Sequence, residues 1–233
     1  MKKQAYIFLK NHVQNSIAGV SGNIDKYRLK SILPNYLSSR QKHFSDVLQP
    51  TFRDYISQDI ETGVAIEQNA ASLELMSFVL AFCESFKPKR ILDMGCGFSS
   101  VAFAYYQQVY PNSVVVSVDD NPQWLEIVKK FIAKVGFSND NHFKMLWNDF
   151  IKLYEHTNFD FILDDFSGIK ERQSTLKKVL SMCGGFVVLD DIHKLGYKNY
   201  ATSILKSSGY RYFSLRKYTL DKYGRYSLLC GKR

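Results

Sequence analysis

The sequence predicts an α/β fold in which a seven-stranded sheet carries helices on both faces and ends in an antiparallel hairpin. From Lys89 onward, apolar runs of strand length alternate with stretches of helical period, which is typical of βαβ units. The runs VVVSV (114–118) and FVVL (186–189) are apolar at successive positions, as buried parallel strands are. The last two strands are separated only by YTLDKYG. This segment is too short for a crossover helix, so these strands must pair antiparallel.

The predicted elements follow one another in a regular order. A helix over 72–86 leads into the first strand. Asn121 and Pro122 supply an N-cap and a first-turn proline for a helix that stops at Gly136. The seven strands are expected near 90–94, 113–118, 142–146, 159–164, 185–190, 210–216 and 224–230.

The composition excludes several classes of protein. Four cysteines lie far apart with no C-x-x-C pair, which indicates neither a disulfide framework nor a zinc site and fits a reducing cytoplasm. The first ten residues hold too few apolar side chains for a signal peptide or a membrane span, so no membrane association is expected.

The net charge of +9 is distributed unevenly along the chain. Residues 1–50 carry eight Lys and Arg against two acids, and residues 194–233 carry ten against one. Basic ends of this kind favour nucleic acid or anionic partners. The alternative, which we prefer, is that they are solvated lysine-rich faces.

The segment ILDMGCGFSS (91–100) places an acid and two glycines at the end of the first strand. A dinucleotide-binding loop has a third glycine where this chain has Ser100, and an ionised Asp93 would repel a pyrophosphate. Asp93 would instead attract the ammonium of an amino-acid moiety. Asp119 ends the second strand, where a carboxylate can accept both hydroxyls of a ribose. The pattern favours a nucleoside that carries an amino acid.

These residues give the chain a resemblance to the class I S-adenosylmethionine (SAM)-dependent methyltransferases. The family's D/E-x-G-x-G loop and second-strand acid are matched by Asp93-Met-Gly95-Cys-Gly97 and by Asp119, and the resemblance covers about residues 70–233. It implies a Rossmann-like fold and a SAM cofactor that contacts Asp93, Gly95, Gly97, Ser99, Asp119, Asp120 and Asp164. The alternative is a glycine turn with an N-capping Asp in another α/β protein.

Asn148-Asp149-Phe150 follows the third strand, where this family contacts adenine. The resemblance implies that Asp149 bonds the adenine amino group and that Phe150 covers the ring. An Asp before a short helix is an N-cap about as often, so both roles stay open for Asp149.

Residues 1–66 are predicted to form an N-terminal helical extension ahead of a methyltransferase domain over 67–233. The extension is rich in Tyr, Asn, Gln and Ser and contains no repeat. Because the sheet does not need it to close, we expect a helical cap over the acceptor pocket, with a homodimer contact as a further role. Its deletion should then leave cofactor binding largely intact and abolish turnover.

Two further strands, in FDFILDDFSG (159–168) and CGGFVVLDDIH (183–193), end in paired acids. Neighbouring strand ends bring three or four carboxylates together, and these repel one another unless they are protonated or bound to a cation. Oxygen-only ligands favour Mg²⁺ or a similar hard ion. The arrangement resembles the Mg²⁺-dependent O-methyltransferases of the catechol and antibiotic-sugar types, which implies a metal site at Asp165, Asp190 and Asp191. The alternatives are that Asp164 or Asp165 caps the next helix and that Asp191 starts a turn.

The catalytic base is less well defined. The lysine that the catechol type has three residues after its metal Asp is Gly168 in this chain. His193 and Lys170 are the candidates, and a surface histidine without a catalytic role is the alternative for His193.

The sequence thus predicts a cytoplasmic SAM-dependent methyltransferase that acts on a hydroxyl of a small-molecule acceptor with help from a divalent metal. One rival is an RNA methyltransferase that uses the basic termini, which is disfavoured because the fourth strand ends in LDDF rather than in an N-P-P-Y or D-P-P type. Another is a non-catalytic cofactor-binding interaction protein, which would not need the ribose acid. Aminopropyl-type transfer is a third, and nothing in the chain requires it.

Overall fold

The computed structural model describes residues 26–57, 67, 69–137 and 140–232. The strands are β1 Arg90–Met94, β2 Val114–Asp119, β3 His142–Leu146, β4 Phe159–Asp164, β5 Cys183–Leu189, β6 Tyr210–Ser214 and β7 Leu228–Lys232. The helices are α1 Lys26–Ile56, α2 Leu73–Phe86, α3 Phe98–Val109, α4 Pro122–Lys134, α5 Trp147–Tyr154, α6 Ile169–Ser181, α7 Leu195–Ser207 and α8 Arg216–Thr219.

The strands form one seven-stranded sheet in the order β3-β2-β1-β4-β5-β7-β6. Strands β1 to β5 pair parallel, and β7 pairs antiparallel with both β5 and β6. The predicted α/β fold and its C-terminal antiparallel pair are therefore confirmed. The carboxyl ends of the parallel strands meet at one edge of the sheet, which brings the segments after β1, β2, β4 and β5 together.

Hydrogen bonds continue past the ends of these strands. The amide of Gly95 donates to the carbonyl of Val118 at 2.8 Å, and the amide of Asp165 donates to the carbonyl of Met94 at 2.8 Å. The amide of Asp190 donates in the same way to the carbonyl of Asp164 at 3.1 Å. The backbone at the carboxyl edge is thus bonded from β2 to β1, from β1 to β4 and from β4 to β5.

Successive residues of the central strands pack into two different hydrophobic cores, one on each face of the sheet. This explains why the sequences of these strands are continuously apolar. Ile91 and Val115 belong to the core on one face, whereas their neighbours Leu92 and Val116 belong to the core on the other. Both faces are covered by helices, which favours apolar side chains on each face.

Helix α1 is part of the first of these cores. Its buried side chains recur at a spacing that fits one helical face, and they are Leu37, Phe44, Leu48, Phe52 and Tyr55. Arg40 of α1 also forms a bidentate ion pair with Glu84 of α2. The described part of the predicted extension therefore packs as a layer of the main domain. Residues 1–25 and 58–66 lie outside the described residues, and the predicted boundary after residue 66 stays a prediction.

Local polar contacts set the ends of several elements. Asn121 Oδ1 accepts the amides of Gln123 and Trp124, which confirms the predicted N-cap of α4. Strand β7 begins later than the sequence predicts because the Asp221 carboxylate bonds the amides of Tyr223 and Arg225 and holds a turn there. Among the described residues, no helix is both long and apolar enough to cross a membrane.

Candidate functional site

A cavity of about 280 Å³ lies at the carboxyl edge of the sheet. This volume is near the lower end of the range for small-molecule sites. Five of the residues predicted as ligand contacts line it: Gly95, Gly97, Ser99, Asp119 and Asp165. The other lining residues were not predicted, and they are Tyr55, Asn69, Ala70, Ala71, Cys96, Trp124, Ser167 and Arg172.

The two positions Gly95 and Gly97 in the loop after β1 require glycine for different reasons. Gly95 has a φ of +96°, and a Cβ at this position would lie 2.3 Å from the carbonyl oxygen of Asp165. A Cβ at Gly97 would meet only the hydroxyl of Tyr55, at 3.6 Å. Gly95 therefore permits the close approach of two strand ends, whereas Gly97 leaves open the space that a ligand would use.

Asp93 lies beneath this loop and has no exposed surface. Its Oδ2 accepts the hydroxyls of Ser100 at 2.6 Å and Ser117 at 2.7 Å, and Ser100 in turn accepts the amide of Gly97. Burial raises the pKa of Asp93 to about 6, against the lowering effect of these hydroxyls. In this position Asp93 holds the loop from below. The predicted contact with a ligand ammonium stays a prediction.

A histidine continues the same buried network. His142 Nε2 lies 2.8 Å from the hydroxyl of Ser117, and His142 is itself buried at the start of β3. Burial lowers the pKa of His142 well below its usual value, and the nearby Lys144 lowers it further. The network thus links three adjacent strands under the glycine loop.

Asp119 faces the cavity from the end of β2. Its Oδ2 accepts the amide of Cys96 and its Oδ1 accepts the amide of Asn121, both at 2.9 Å. Burial raises its pKa to about 6, in spite of these two amides. Each carboxylate oxygen has further lone pairs, so Asp119 can accept two more hydrogen bonds from a ligand in the cavity. Asp120 is exposed beside it and does not line the cavity.

The two residues predicted to contact adenine lie outside the cavity. Asp149 is exposed in the first turn of α5 and pairs with Lys152 at 3.0 Å, and the N-cap of this helix is Leu146. Phe150 is fully buried, with its ring between those of Trp147 and Tyr154. The structure differs here from the expectation, because a side chain without exposed surface offers no face to a ligand.

The four acids after β4 and β5 surround an arginine that the sequence analysis did not consider. Arg172, in the first turn of α6, is 5% exposed and lines the cavity. Its Nη2 lies 2.6 Å from Asp165 and its Nη1 lies 3.3 Å from Asp191. Burial raises the pKa of Asp165 well above its ordinary value, and Arg172 opposes this rise. The predicted clustering of carboxylates is therefore real, and their compensating charge comes from the chain itself.

The remaining acids differ in their surroundings. Asp164 has no exposed surface and does not line the cavity, and burial raises its pKa to about 6. Asp190 accepts the hydroxyl of Ser227 at 2.6 Å. Asp165, not Asp164, is thus the acid after β4 that faces the cavity.

Asp191 begins a turn, as the alternative interpretation held. It has a φ of +59°, and its carbonyl accepts the amide of Lys194. Its carboxylate lies 2.7 Å from Lys194 Nζ and 3.5 Å from His193 Nδ1. Burial alone would raise the pKa of Asp191, but Lys194, Arg172 and His193 together lower it below its ordinary value. The carboxylate of Asp191 is thus paired with positively charged neighbours.

These residues do not fit a divalent cation. A magnesium ion needs a nearly octahedral set of oxygens at about 2.0–2.1 Å, whereas Asp165 and Asp191 both direct an oxygen at the guanidinium of Arg172. No group of three His, Cys, Asp or Glu side chains within the described ranges has a geometry that could hold a metal ion. The predicted metal site is therefore corrected. Its acids lie close together as expected, but two of them, Asp165 and Asp191, contact an arginine.

The two predicted base candidates do not line the cavity. Lys170 is exposed in the first turn of α6, and His193 is partly buried against Asp191. Tyr55 is the more notable residue that sequence reasoning missed. It is fully buried, and its hydroxyl, which lines the cavity, has no hydrogen-bond partner among the residues that the structure describes. Tyr55 reaches the site from α1, so no local pattern around the glycine loop could have indicated it.

Comparison with known proteins identifies the family. A model described as "Methyltransferase domain" matches residues 85–210, which is more than half of the chain. The chain belongs to this methyltransferase family. The match includes the glycine loop, Asp119, the acids after β4 and β5, and Arg172. It confirms the resemblance to SAM-dependent methyltransferases, but not the resemblance to their Mg²⁺-dependent branch.

Solved structures share the fold of this methyltransferase. The methyltransferase PaMTH1 of Podospora anserina, bound to S-adenosylhomocysteine (SAH), is 15% identical with a TM-score of 0.61, and the match covers 92% of this chain and 99% of that one. The O-methyltransferase TomG of Streptomyces achromogenes, involved in tomaymycin synthesis and solved with SAM, is 15% identical with a TM-score of 0.55 and full coverage of both chains.

A third such structure is an O-methyltransferase from Bacillus cereus in complex with SAH. It is 15% identical with a TM-score of 0.54, and the match covers 89% of this chain and 95% of that one. At these identities the three structures show the fold alone. The search of curated proteins found no match.

Proposed function

We propose that this methyltransferase binds SAM in the cavity and transfers its methyl group to a hydroxyl of a small-molecule acceptor. The observation that carries the proposal is the position of Asp119. Its carboxylate is buried at the end of β2, opens into the cavity and lies next to the glycine loop, with hydrogen-bonding capacity left on both oxygens.

The residues around Asp119 fit such a cofactor. Asp119 would accept the ribose hydroxyls, and Gly97 would allow the cofactor to lie against the backbone. The unpartnered hydroxyl of Tyr55 would donate to an oxygen of the ribose or of the amino-acid moiety. Asp93 would keep the loop in place through Ser100. SAM itself supplies an electrophilic methyl group on a sulfonium.

The other end of the cavity would receive the acceptor. It is formed by Asp165, Ser167 and Arg172, all polar, after β4 and at the start of α6. These groups would orient a polar acceptor so that its oxygen lies in line with the sulfonium, which is the main requirement for methyl transfer. A hydroxyl acceptor is further supported by the O-methyltransferases among the proteins of similar fold.

The test of this proposal is calorimetric titration with SAH. Asp119→Ala removes charged hydrogen bonds to the ribose, each worth about 1.5–3 kcal/mol, so we expect the affinity for SAH to fall at least tenfold. Asp46→Ala is the matched control, because Asp46 is an exposed acid of α1 that pairs only with Lys42. An Asp119→Ala variant that binds SAH as the unmodified protein does would contradict the proposed role of Asp119.

A second variant tests the contribution of α1 to the same site. Tyr55→Phe removes only the hydroxyl, and losing one neutral hydrogen bond of about 0.5–1.5 kcal/mol should weaken SAH binding by roughly two- to twelvefold. The melting temperature should not fall, since none of the described residues forms a hydrogen bond with that hydroxyl. Tyr197→Phe is the control, because Tyr197 also buries an unpartnered hydroxyl but does not line the cavity. Equal affinities in the two variants would rule out the contact.

A further inference from the structure

We propose that the guanidinium of Arg172 supplies the positive charge at the acceptor end of the cavity, so that this methyltransferase orients its acceptor without a divalent metal. The inference deepens the proposed function, on which its catalytic meaning rests. The claim about cation binding stands on the geometry of the site alone.

Four contacts fix the guanidinium of Arg172. Two are with carboxylates, at 2.6 Å from Asp165 and 3.3 Å from Asp191. The other two are with carbonyls in the turn before α6: Nε donates to Phe166 at 3.1 Å and Nη2 donates to Ser167 at 3.2 Å. A planar guanidinium that is held on several sides by acceptors has little freedom to rotate away.

The carboxylates that a metal would need are therefore already engaged. To enter, a divalent ion would have to displace Arg172 from Asp165 and from Asp191, and the displaced charge would stay buried without a partner. Asp191 carries two more positive neighbours, Lys194 and His193 when it is protonated, and these would repel a second cation. Asp190 is held by Ser227. Charge compensation by Arg172 and metal binding are thus mutually exclusive.

An arginine in place of a metal ion changes how the site can bind an acceptor. A guanidinium carries a fixed positive charge and donates hydrogen bonds in a defined plane. It can orient an oxygen of the acceptor near the sulfonium of the cofactor, as a metal would. Two of the three acids that the resemblance implied as metal ligands, Asp165 and Asp191, here hold that guanidinium.

The experiment uses Mn²⁺ as a spectroscopic substitute for Mg²⁺ and follows the free ion by electron paramagnetic resonance. The full chain, treated with chelator, should leave the Mn²⁺ signal undiminished, and MgCl₂ should not raise its melting temperature. Arg172→Lys keeps one positive charge and should also bind no Mn²⁺. Arg172→Gln removes the charge and leaves the carboxylates around it uncompensated, so its melting temperature at neutral pH should fall further than that of Arg172→Lys.

Two outcomes would overturn the inference. The first is stoichiometric Mn²⁺ binding by the unmodified protein that disappears in Asp165→Asn. The second is a folded Arg172→Gln variant that melts at the same temperature as the unmodified protein, because the acids would then not need the positive charge of Arg172. Should Arg172→Gln fail to fold, the unmodified protein and Asp165→Asn still decide the question. A parallel SAH titration of the unmodified protein separates this inference from the proposed function, since failure to bind SAH would refute only the latter.

Discussion

Replacing Gly95 by Ala is expected to destabilise the protein by about 2–5 kcal/mol, the sum of a disfavoured backbone conformation and an overpacked contact. The new Cβ would lie 2.3 Å from the carbonyl oxygen of Asp165. Neither backbone can retreat easily, because the amide of Gly95 is bonded to Val118 and the amide of Asp165 is bonded to Met94. Chemical denaturation should show the loss, and SAH binding should fall with it because the glycine loop must move.

Gly136→Ala separates the two causes of this loss. Gly136 also has a positive φ, +75°, but a Cβ there would have no heavy atom within 4 Å. It should therefore show only the conformational cost, about 1–2 kcal/mol, and unchanged SAH affinity. Equal destabilisation of the two variants would mean that the strand ends relax freely and that the close approach is not rigid.

Deleting residues 1–57 is expected to leave a chain that does not fold. The deletion removes five buried side chains from the part of α1 whose side chains the structure describes. Each is worth about 1.5–3 kcal/mol, and the total is comparable with the whole stability of a typical domain, about 5–15 kcal/mol. This expectation replaces the one drawn from the sequence, in which the extension was dispensable for cofactor binding. Circular dichroism and SAH titration of the truncated protein would measure both properties.

Point variants test the contribution of α1 to stability without removing the helix. Leu48→Ala in α1 should cost about 2–5 kcal/mol, because Leu48 is fully buried in the core. Leu153→Ala should be nearly neutral, since Leu153 is largely exposed on α5. A truncated protein that melts cooperatively and binds SAH would show instead that α1 is a separable cap.

The sheet could be predicted from the sequence because its evidence is local. Runs such as VVVSV at 114–118 report burial on both faces, and Asn121 with Pro122 reports a helix start, without knowledge of any distant contact. The glycine loop and Asp119 were predictable for the same reason, since each depends on its position at a strand end. The start of β7 was less predictable, because the turn at Asp221 is held by side-chain contacts that have no counterpart in the apolar pattern.

The acceptor end of the site shows where sequence reasoning stops. Converging acids have to be protonated or bound to a cation, and no local pattern indicated that an arginine seven residues beyond Asp165 supplies a positive charge there. Only the packing of α6 against the ends of β4 and β5 brings Arg172 between them. Tyr55 and Phe150 differ from expectation for the same reason: tertiary packing brings the first to the cavity and takes the second into the core.

The hydrogen bonds that continue beyond the strand ends also bear on how ligands enter. Because Gly95, Asp165 and Asp190 are each bonded to the neighbouring strand, their amides should resist hydrogen exchange as strongly as those of the sheet interior. A cofactor and an acceptor placed on this edge would meet over a frame whose spacing is set by backbone atoms. The described residues that line the cavity ahead of β1 are Tyr55 of α1 and Asn69, Ala70 and Ala71. Because the frame itself is fixed by backbone hydrogen bonds, binding kinetics should respond to substitutions at these four residues more than to substitutions within the sheet.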